Sequence, residues 1–279
     1  MTSHTEETGG GVRSPEGGRA PASPMRAPAK RARSLTGAIG ALFAFLRDLL
    51  ARGLLALGVT PNLVTAVGCG LSAAAGLAFA LGPPWQRWPA VALLVGAGAC
   101  DMLDGAVAKL GGRATAFGAF FDSTLDRASD GFLFGGLFWY WAARGEALLA
   151  GLSLSALLAA FLVSYTRARA ENLIDSCKVG FWERGERTVL LLLATAFAVL
   201  PTAVLVLGTL VHLTALQRLL HTRRVLESRM SEPRGGRLAR LGWWLVHRVL
   251  FWGYPRASLP YDVAVAAVVA FVLLVPFPW

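Results

Sequence analysis

The chain has 279 residues, of which 55% are apolar, and a formal net charge of +10. An apolar content this high is unusual for a water-soluble domain, so the composition favours one membrane domain with polar tails. The positive charge is concentrated in the N-terminal tail and in the loops and tail after the middle helices, and loops on the cytoplasmic face of a membrane collect lysine and arginine. Contact with a membrane surface therefore explains the charge better than nucleic-acid binding, which we do not expect.

The two ends of the chain differ in composition from its middle. Residues 1–34 are rich in Gly, Pro, Ser and Arg without an apolar period, which predicts a disordered basic tail and not a signal peptide. Residues 35–58 show apolar side chains at helical spacing, which predicts an amphipathic helix along the membrane interface. Residues 227–279 form a basic tail with an apolar run at 263–277. We interpret this run as an extra helix, and the alternative is a segment packed in the interface.

The central region, residues 59–226, predicts an all-α integral membrane domain with a six-helix core. Thr60 and Pro61 are typical of a helix start, because threonine caps a helix and proline is tolerated at its first position. The six spans are expected at about residues 62–81, 89–110, 115–141, 148–168, 188–200 and 202–219. The fifth is short unless its polar lead-in continues as helix. The three cysteines lack metal-binding spacing and are expected to be free thiols.

Basic residues are distributed unequally between the two sides of these spans. One side holds Arg113, Lys178, Arg184, Arg187, Arg218, Arg223 and Arg224. The other side holds only Arg87 and Arg144. Because cytoplasmic loops are enriched in lysine and arginine, we expect a multi-pass protein of the cell membrane whose basic side, with its functional site, faces the cytoplasm.

Four aspartates flank one turn in the middle of the apolar region. Asp101 and Asp104 are spaced i, i+3, and Asp122 and Asp126 are spaced i, i+4, so each pair lies on one helix face. A turn at 111–113 would fold the two helices antiparallel and bring both pairs to one depth. Carboxylates in a membrane are costly and by default functional, and four of them suit one or two Mg²⁺ or Mn²⁺ ions.

Two other interpretations of the aspartates compete with a metal site. The acids could face water or pair with Arg113 and Arg127, but Gly105 and Gly118 favour a ligand site. Each glycine lies beside an acid, where a missing side chain lets a ligand approach the backbone. An ion or proton transporter would also place acids in membrane helices, although the chain shows no internal repeat.

The same region reads D-x-x-D-G-x-x-A-K, eight residues, then G-x-x-x-D-x-x-x-D, and Thr60 opens a TPN-x-x-T segment. This pattern resembles the signature of the CDP-alcohol phosphotransferase family over about residues 60–224. Members of that family are integral membrane enzymes of phospholipid synthesis with six-helix cores, and they are commonly homodimers. Lys109 stands where the family has arginine, and lysine keeps the charge but lacks the bidentate fork.

The resemblance implies a role for each matched residue. Two Mg²⁺ or Mn²⁺ ions would be held by Asp101, Asp104, Asp122 and Asp126. Asp126 would also be the catalytic base on the acceptor hydroxyl. The CDP-linked lipid would be held by Asn62, Thr65, Gly105, Ala108, Lys109, Thr115 and Gly118. For the small residues among these, helix packing is the alternative role.

The acceptor is predicted from arginines near two helix ends. They lie in the motifs SYTRARAE and ERGER and are Arg167, Arg169, Arg184 and Arg187. Arginine binds phosphate bidentately, so such a cluster suits an anionic acceptor; anchoring to lipid headgroups is the alternative. These motifs, with FGAFFDSTLDR, are similar to the phosphatidylinositol phosphate synthase branch of the family.

The combined prediction is transfer of a phosphatidyl group from CDP-diacylglycerol to a small phosphorylated polyol, with release of CMP. Inositol 1-phosphate is the first candidate for the acceptor, as the resemblance to the synthase branch implies. Glycerol 3-phosphate is the second candidate, and an uncharged alcohol is the third.

Overall fold

The structure is a computed structural model that describes residues 35–230 and 259–274. Within those ranges the chain forms eight α-helices and no β-strand: α1 Leu35–Ala56, α2 Pro61–Leu81, α3 Trp88–Leu110, α4 Ala116–Ala142, α5 Ala147–Glu171, α6 Arg184–Ala196, α7 Leu200–Met230 and α8 Leu259–Leu274. The all-helical prediction is confirmed for this part of the chain. The disorder predicted for residues 1–34 lies outside the described residues, as does most of the predicted basic C-terminal tail.

The chain divides into two compact units, Met1–Leu42 and Phe43–Trp279. In the first unit the structure describes only the start of α1. The second unit contains the remaining helices and every predicted site residue.

Among the residues that the structure describes, four helices are long and apolar enough to cross a membrane: α2, α3, α5 and Leu200–Ser228 of α7. α4 has 27 residues, but charged side chains interrupt its first half. α6 has 13 residues, and the apolar helix Tyr261–Leu274 is also shorter than the roughly 20 residues that a bilayer needs. These lengths and compositions are those of a helical integral membrane protein.

The last two helices of the core differ from their predicted limits. α6 begins at Arg184 instead of residue 188, because its polar lead-in does continue as helix. It ends at a turn in which Ala198 has a φ of 59°. α7 continues past the predicted end at residue 219 to Met230, and an i, i+4 ion pair of 2.7 Å between Arg223 and Glu227 supports its polar final turns.

α2 and α4 cross at unusually short distance through two glycines. A Cβ atom on Gly136 would lie 2.0 Å from the carbonyl oxygen of Gly76, and a Cβ on Gly76 would lie 2.2 Å from the carbonyl oxygen of Phe132. Any side chain would therefore force the helices apart, as at other small-residue contacts in membranes. This crossing fixes α4, which carries two of the four aspartates, against α2.

Local capping sets the starts of α2 and α4. Thr60 Oγ1 accepts a hydrogen bond from the Leu63 amide at 3.3 Å, which confirms the predicted cap, and Pro61 occupies the first helical position. Thr115 caps α4 in the same way, accepting from the Gly118 amide at 2.9 Å. Both caps lie at the end of the bundle that carries the aspartates.

The end of α1 packs against the acid-bearing end of α3. Ala51 is fully buried in a small cluster with Ala106 and Val107. α1 also exposes large apolar side chains, including Phe43 and Phe45. An exposed apolar surface suits contact with lipid, and the interfacial position of this helix stays a prediction.

Candidate active site

Three of the four aspartates converge beside the α3–α4 turn. Asp101, Asp122 and Asp126 each offer one carboxylate oxygen, and these oxygens lie within 4.8 Å of one another. Asp101 comes from α3 and the other two come from α4, so the antiparallel hairpin brings the acids together as their spacing predicts. Three oxygen donors at this separation fit a hard divalent cation such as Mg²⁺ or Mn²⁺.

Asp104 points toward α2 instead of the other three acids. It is 8% exposed, and its Oδ2 accepts a hydrogen bond of 2.9 Å from Thr65 Oγ1. Its Oδ1 accepts from the Gly105 amide at 2.5 Å. Thr65 thus orients a buried carboxylate that lies between the acid cluster and a small cavity beside it.

That small cavity has a volume of about 230 Å³ and lies between the starts of α2 and α4 and the end of α3. All seven residues predicted to hold the CDP-linked lipid line it: Asn62, Thr65, Gly105, Ala108, Lys109, Thr115 and Gly118. A Cβ on Gly105 would meet nothing within 4 Å, so this glycine leaves open space beside Asp104. A Cβ on Gly118 would lie 3.4 Å from Asn62 Oδ1, so its absence leaves room beside that amide.

A second, polar cavity of about 390 Å³ lies on the other side of Asp126, between α4, α5, α6 and α7. We call it the arginine cavity, since its lining includes Arg127, Arg167, Arg184, Arg187 and Arg218. The predicted acceptor residues Arg167, Arg184 and Arg187 are among these. Arg169 is exposed and is not part of the lining.

The arginines of this cavity have unequal surroundings. Arg187 is 2% exposed, and it donates to Asp130 at 2.8 Å and to the Trp182 carbonyl at 3.3 Å. Its buried Nε atom has no hydrogen-bond partner among the described residues. A buried donor without a partner costs about 1–3 kcal/mol.

Arg184 differs from the other arginines because its guanidinium contacts two of the clustered acids. One nitrogen, Nη1, is within hydrogen-bonding distance of both Asp101 and Asp126. Arg127 lies 3.7 Å from Asp126, whereas Arg113 lines the small cavity. The clustered acids therefore do make ion pairs, as the alternative interpretation expects. Their main partner is Arg184 of α6, which is too far away in the sequence for spacing to predict the contact.

The family of this chain follows from its similarity to known proteins. Residues 58–222 match the family model of the CDP-alcohol phosphatidyltransferases. The chain belongs to the CDP-alcohol phosphatidyltransferase family. It is accordingly an enzyme of phospholipid biosynthesis, and the transporter alternative is set aside.

Similar proteins have more specific names. A phosphatidylinositol phosphate synthase of Mycobacterium marinum is 39% identical over 163 residues, covering 58% of this chain and 68% of that protein. An archaetidylinositol phosphate synthase of Methanothermobacter thermautotrophicus is 43% identical over 136 residues, covering 47% and 67%. The enzyme is thus similar both to a bacterial phosphatidylinositol phosphate synthase and to an archaeal archaetidylinositol phosphate synthase.

Solved structures of the Mycobacterium tuberculosis phosphatidylinositol phosphate synthase share the fold. One with CDP-DAG bound has a TM-score of 0.58 at 34% identity, covering 63% of this chain and 92% of that one. Another, in complex with manganese and citrate, has a TM-score of 0.57 at the same identity and covers 63% and 88%. The family is divalent-metal dependent, and the aspartates of this enzyme fit such an ion.

Sequence reasoning missed the roles of two residues, one in the lining of the arginine cavity and one that pairs with a residue of that lining. The charge pattern identifies Arg218 only as a basic residue at the end of the sixth predicted span, yet it is 2% exposed and donates to Glu183 at 3.2 Å. Asp130, which is 4% exposed and holds Arg187, was not singled out. Its position one turn after Asp126 on α4 was the available signal, because i, i+4 residues share a helix face.

Proposed function

We propose that the enzyme transfers a phosphatidyl group from CDP-diacylglycerol to inositol 1-phosphate and releases CMP. The observation that carries this proposal is the position of Asp126, which belongs to the acid cluster and also lines the arginine cavity. A hydroxyl held beside the arginines would therefore lie next to a carboxylate. The names of the similar synthases, and the CDP-DAG bound to one of them, support the same donor and acceptor.

In the proposed reaction the two cavities hold the two substrates. The small cavity holds the cytidine and its phosphates, with Lys109 as a point charge, and the arginine cavity holds the acceptor phosphate. Asp126 takes the proton from the acceptor hydroxyl. The hydroxyl oxygen then bonds to the lipid-linked phosphorus, the bond from that phosphorus to the oxygen of CMP breaks, and its electron pair leaves with CMP.

Two Mg²⁺ or Mn²⁺ ions are proposed, held by Asp101, Asp104, Asp122 and Asp126. Bound divalent cations neutralise the pyrophosphate and stabilise the leaving CMP. Three of the acids converge within 4.8 Å, and Asp104 is fixed by Thr65 at the edge of the small cavity. This division of the acids supports one ion inside the cluster and a second toward the small cavity.

We also propose six membrane spans, α2 to α7, with the active site at the cytoplasmic side and α1 in the interface. The aspartates and the arginine cavity lie where α3, α5 and α7 end and where α2, α4 and α6 begin, as helices that cross in alternate directions require. We propose a homodimer because members of the family that this chain resembles are commonly homodimers. The mass of the purified protein in detergent, measured separately from that of the bound detergent, tests this proposal.

The test is CMP release by the purified enzyme in detergent with CDP-diacylglycerol and Mn²⁺ or Mg²⁺. Inositol 1-phosphate, glycerol 3-phosphate and free inositol are supplied in parallel. We expect CMP with inositol 1-phosphate, and none without an acceptor or after chelation of the metal. Turnover with glycerol 3-phosphate but not inositol 1-phosphate would overturn the acceptor, while turnover with free inositol alone would overturn the role of the arginine cavity.

A further inference from the structure

Arg184 lies between two sites that attract opposite charges. It is the first residue of α6, its side chain is 26% exposed, and it lines the arginine cavity. Its Nη1 atom nevertheless contacts Asp101 Oδ1 and Asp126 Oδ1. One guanidinium group is thus shared between the acids proposed to hold cations and the cavity proposed to hold an anion.

Three other arginines of the cavity pair with acids outside the cluster. Arg187 pairs with Asp130 at 2.8 Å, and Arg218 donates to Glu183 at 3.2 Å. Arg167 pairs with Glu171 at 3.0 Å and lies 3.8 Å from Glu183. These pairs can stay in place whether or not a cation is held by the acid cluster. The contacts of Arg184 cannot, because they use oxygens of that cluster.

We propose that Arg184 couples the two sites: its guanidinium leaves the aspartates when a divalent cation binds and then holds the anion in the arginine cavity. This inference rests on the proposed function, since it assumes cations at the acids and a phosphate among the arginines. Arg184 is a positioning residue in this role, and it makes the binding of each ligand dependent on the other.

The coupling follows from charge and geometry. A guanidinium and a divalent cation repel each other at these distances, so the same two carboxylate oxygens favour one or the other. An anion in the arginine cavity offers the displaced guanidinium a bidentate partner. Anion binding therefore removes the competitor of the cation, and by linkage the cation raises the affinity for the anion by the same factor.

The experiment measures Mn²⁺ affinity directly, by titrating the purified full chain in detergent and following free Mn²⁺ by electron paramagnetic resonance. Sulfate serves as the anion, because it is a tetrahedral dianion like the acceptor's phosphate group. For the unmodified enzyme we expect saturating sulfate to increase Mn²⁺ affinity roughly tenfold, which is within the usual range of coupling between two sites. No effect of sulfate on Mn²⁺ affinity would overturn the proposal.

Two variants separate the role of Arg184 from general electrostatics. Arg184→Gln should bind Mn²⁺ more tightly than the unmodified enzyme without sulfate, and sulfate should then change its affinity less than twofold. Arg167→Gln removes the same charge from the same cavity but no contact with the aspartates, so it should raise the sulfate concentration needed for saturation yet keep most of the increase in Mn²⁺ affinity at saturation. Equal coupling in the two variants would mean that direct attraction between cation and anion accounts for it.

A third variant covers the case in which Arg184→Gln does not yield folded protein. Arg184→Lys keeps the charge but has no bidentate fork, so we expect the sulfate effect to be reduced and not abolished. Full coupling with lysine would contradict the proposal. Because sulfate replaces the acceptor, an enzyme that shows this coupling but no turnover with inositol 1-phosphate would disprove the proposed acceptor alone.

Discussion

Asp126 is the carboxylate at which the acid cluster meets the arginine cavity. Asp101 and Asp122 each place a carboxylate oxygen within 4.8 Å of it, Arg184 contacts it, and Arg127 lies 3.7 Å away. Charges of both signs beside Asp126 suit a base that must accept a proton from one substrate while it stays beside bound cations. The other acids lack this double position, since Asp101 and Asp122 do not line the arginine cavity.

Asp126→Asn should reduce turnover by about 10²- to 10⁴-fold, the usual contribution of a general base, because an amide cannot take the hydroxyl proton. Binding of CDP-diacylglycerol should change little, since the small cavity is lined by other residues. Single-turnover CMP release and equilibrium binding measure the two effects. Asp48→Asn is the matched control, an exposed aspartate of α1 paired with Arg47, and normal turnover in Asp126→Asn would exclude Asp126 as the base.

For individual residues, the sequence identifies the members of the site more reliably than it predicts their contacts. The i, i+3 and i, i+4 spacing identifies the aspartates because helix periodicity is local. It cannot reveal that Arg184 contacts Asp101 from 83 positions away, or that Asp104 bonds to Thr65, because those choices depend on how α2 and α6 pack. The exposure of Arg169 likewise depends on the rotation of α5, which a motif does not encode.

The crossing of α2 and α4 is the element on which the geometry of the site depends. Gly136→Ala places a methyl group within 2.0 Å of the Gly76 carbonyl oxygen, so α4 must shift and move Asp122 and Asp126. We expect a loss of about 1–3 kcal/mol in the free energy of unfolding, typical of overpacking, together with lower turnover. Unfolding in a denaturing detergent titration measures the first effect.

Gly135→Ala is the matched control for this substitution. The two glycines are neighbours on α4, but a Cβ on Gly135 would meet nothing within 4 Å. Alanine should be neutral there, or stabilising by up to about 1 kcal/mol through its higher helix propensity. Equal effects of the two substitutions would show that the crossing is not as close as described.

α8 braces the start of α6, which carries Arg184 and Arg187. The Tyr261 hydroxyl donates to Glu186, and its ring centroid lies 5.5 Å from that of Phe181. This helix lies after residue 222, where the match to the family model ends.

Tyr261→Phe should therefore loosen the start of α6 while it keeps the ring contact. We expect a loss on the order of 1 kcal/mol in stability. We also expect a roughly threefold rise in KM for the acceptor, with KM for the CDP-lipid unchanged, because only the arginine cavity includes α6. Tyr165→Phe, at an exposed tyrosine of α5, is the control. A rise in KM for both substrates would indicate general destabilisation instead.

A helix boundary can be predicted from the sequence where a local signal such as a capping residue marks it. A boundary that depends on contacts made elsewhere in the fold cannot. Thr60 and Pro61 mark the start of α2 in the sequence itself, and the structure has that cap. The end of α7 had no such mark, because its last polar turns are stabilised by their own ion pair beyond the apolar segment. The start of α6 is not clear from the sequence, because its first residues are charged. Their ion pairs with Asp101, Asp126 and Asp130 are made across the fold and leave no local signal.

For the whole molecule, the charge distribution predicts orientation in the membrane. A cysteine introduced at Ala114, in the α3–α4 loop, should be inaccessible to a membrane-impermeant maleimide in intact cells. One introduced at Glu146, between α4 and α5, should be labelled. Labelling of both after permeabilisation is the positive control, and the reverse pattern in intact cells would place the active site outside.

The native cysteines permit this experiment. All three are free, as expected, and Cys69 and Cys100 lie in α2 and α3, where they can be replaced by alanine. Cys177 is fully buried in the α5–α6 loop, and burial raises the pKa of its thiol. Because the thiolate is the reactive form, Cys177 should stay unlabelled, and a chain without introduced cysteines measures any background.

Composition and spacing predict an all-α membrane protein with an acid cluster, and the resemblance to a known family adds that it is an enzyme. The number of spans was harder to predict, because α4 and α6 are not apolar enough or long enough to be recognised alone. The polar side chains of α4, which include the proposed catalytic and metal-binding aspartates, interrupt its apolar pattern and so weaken the membrane signal of this helix.

The proposed transfer is tested by the mass of the lipid formed from CDP-diacylglycerol and inositol 1-phosphate in the presence of Mn²⁺. Inositol 1-phosphate labelled with ¹⁸O in its hydroxyl groups identifies the attacking atom. We expect a phosphatidylinositol phosphate that retains every labelled oxygen, with one CMP per lipid. Formation of phosphatidic acid, which is the product of water attack, or loss of one label from the product would contradict it.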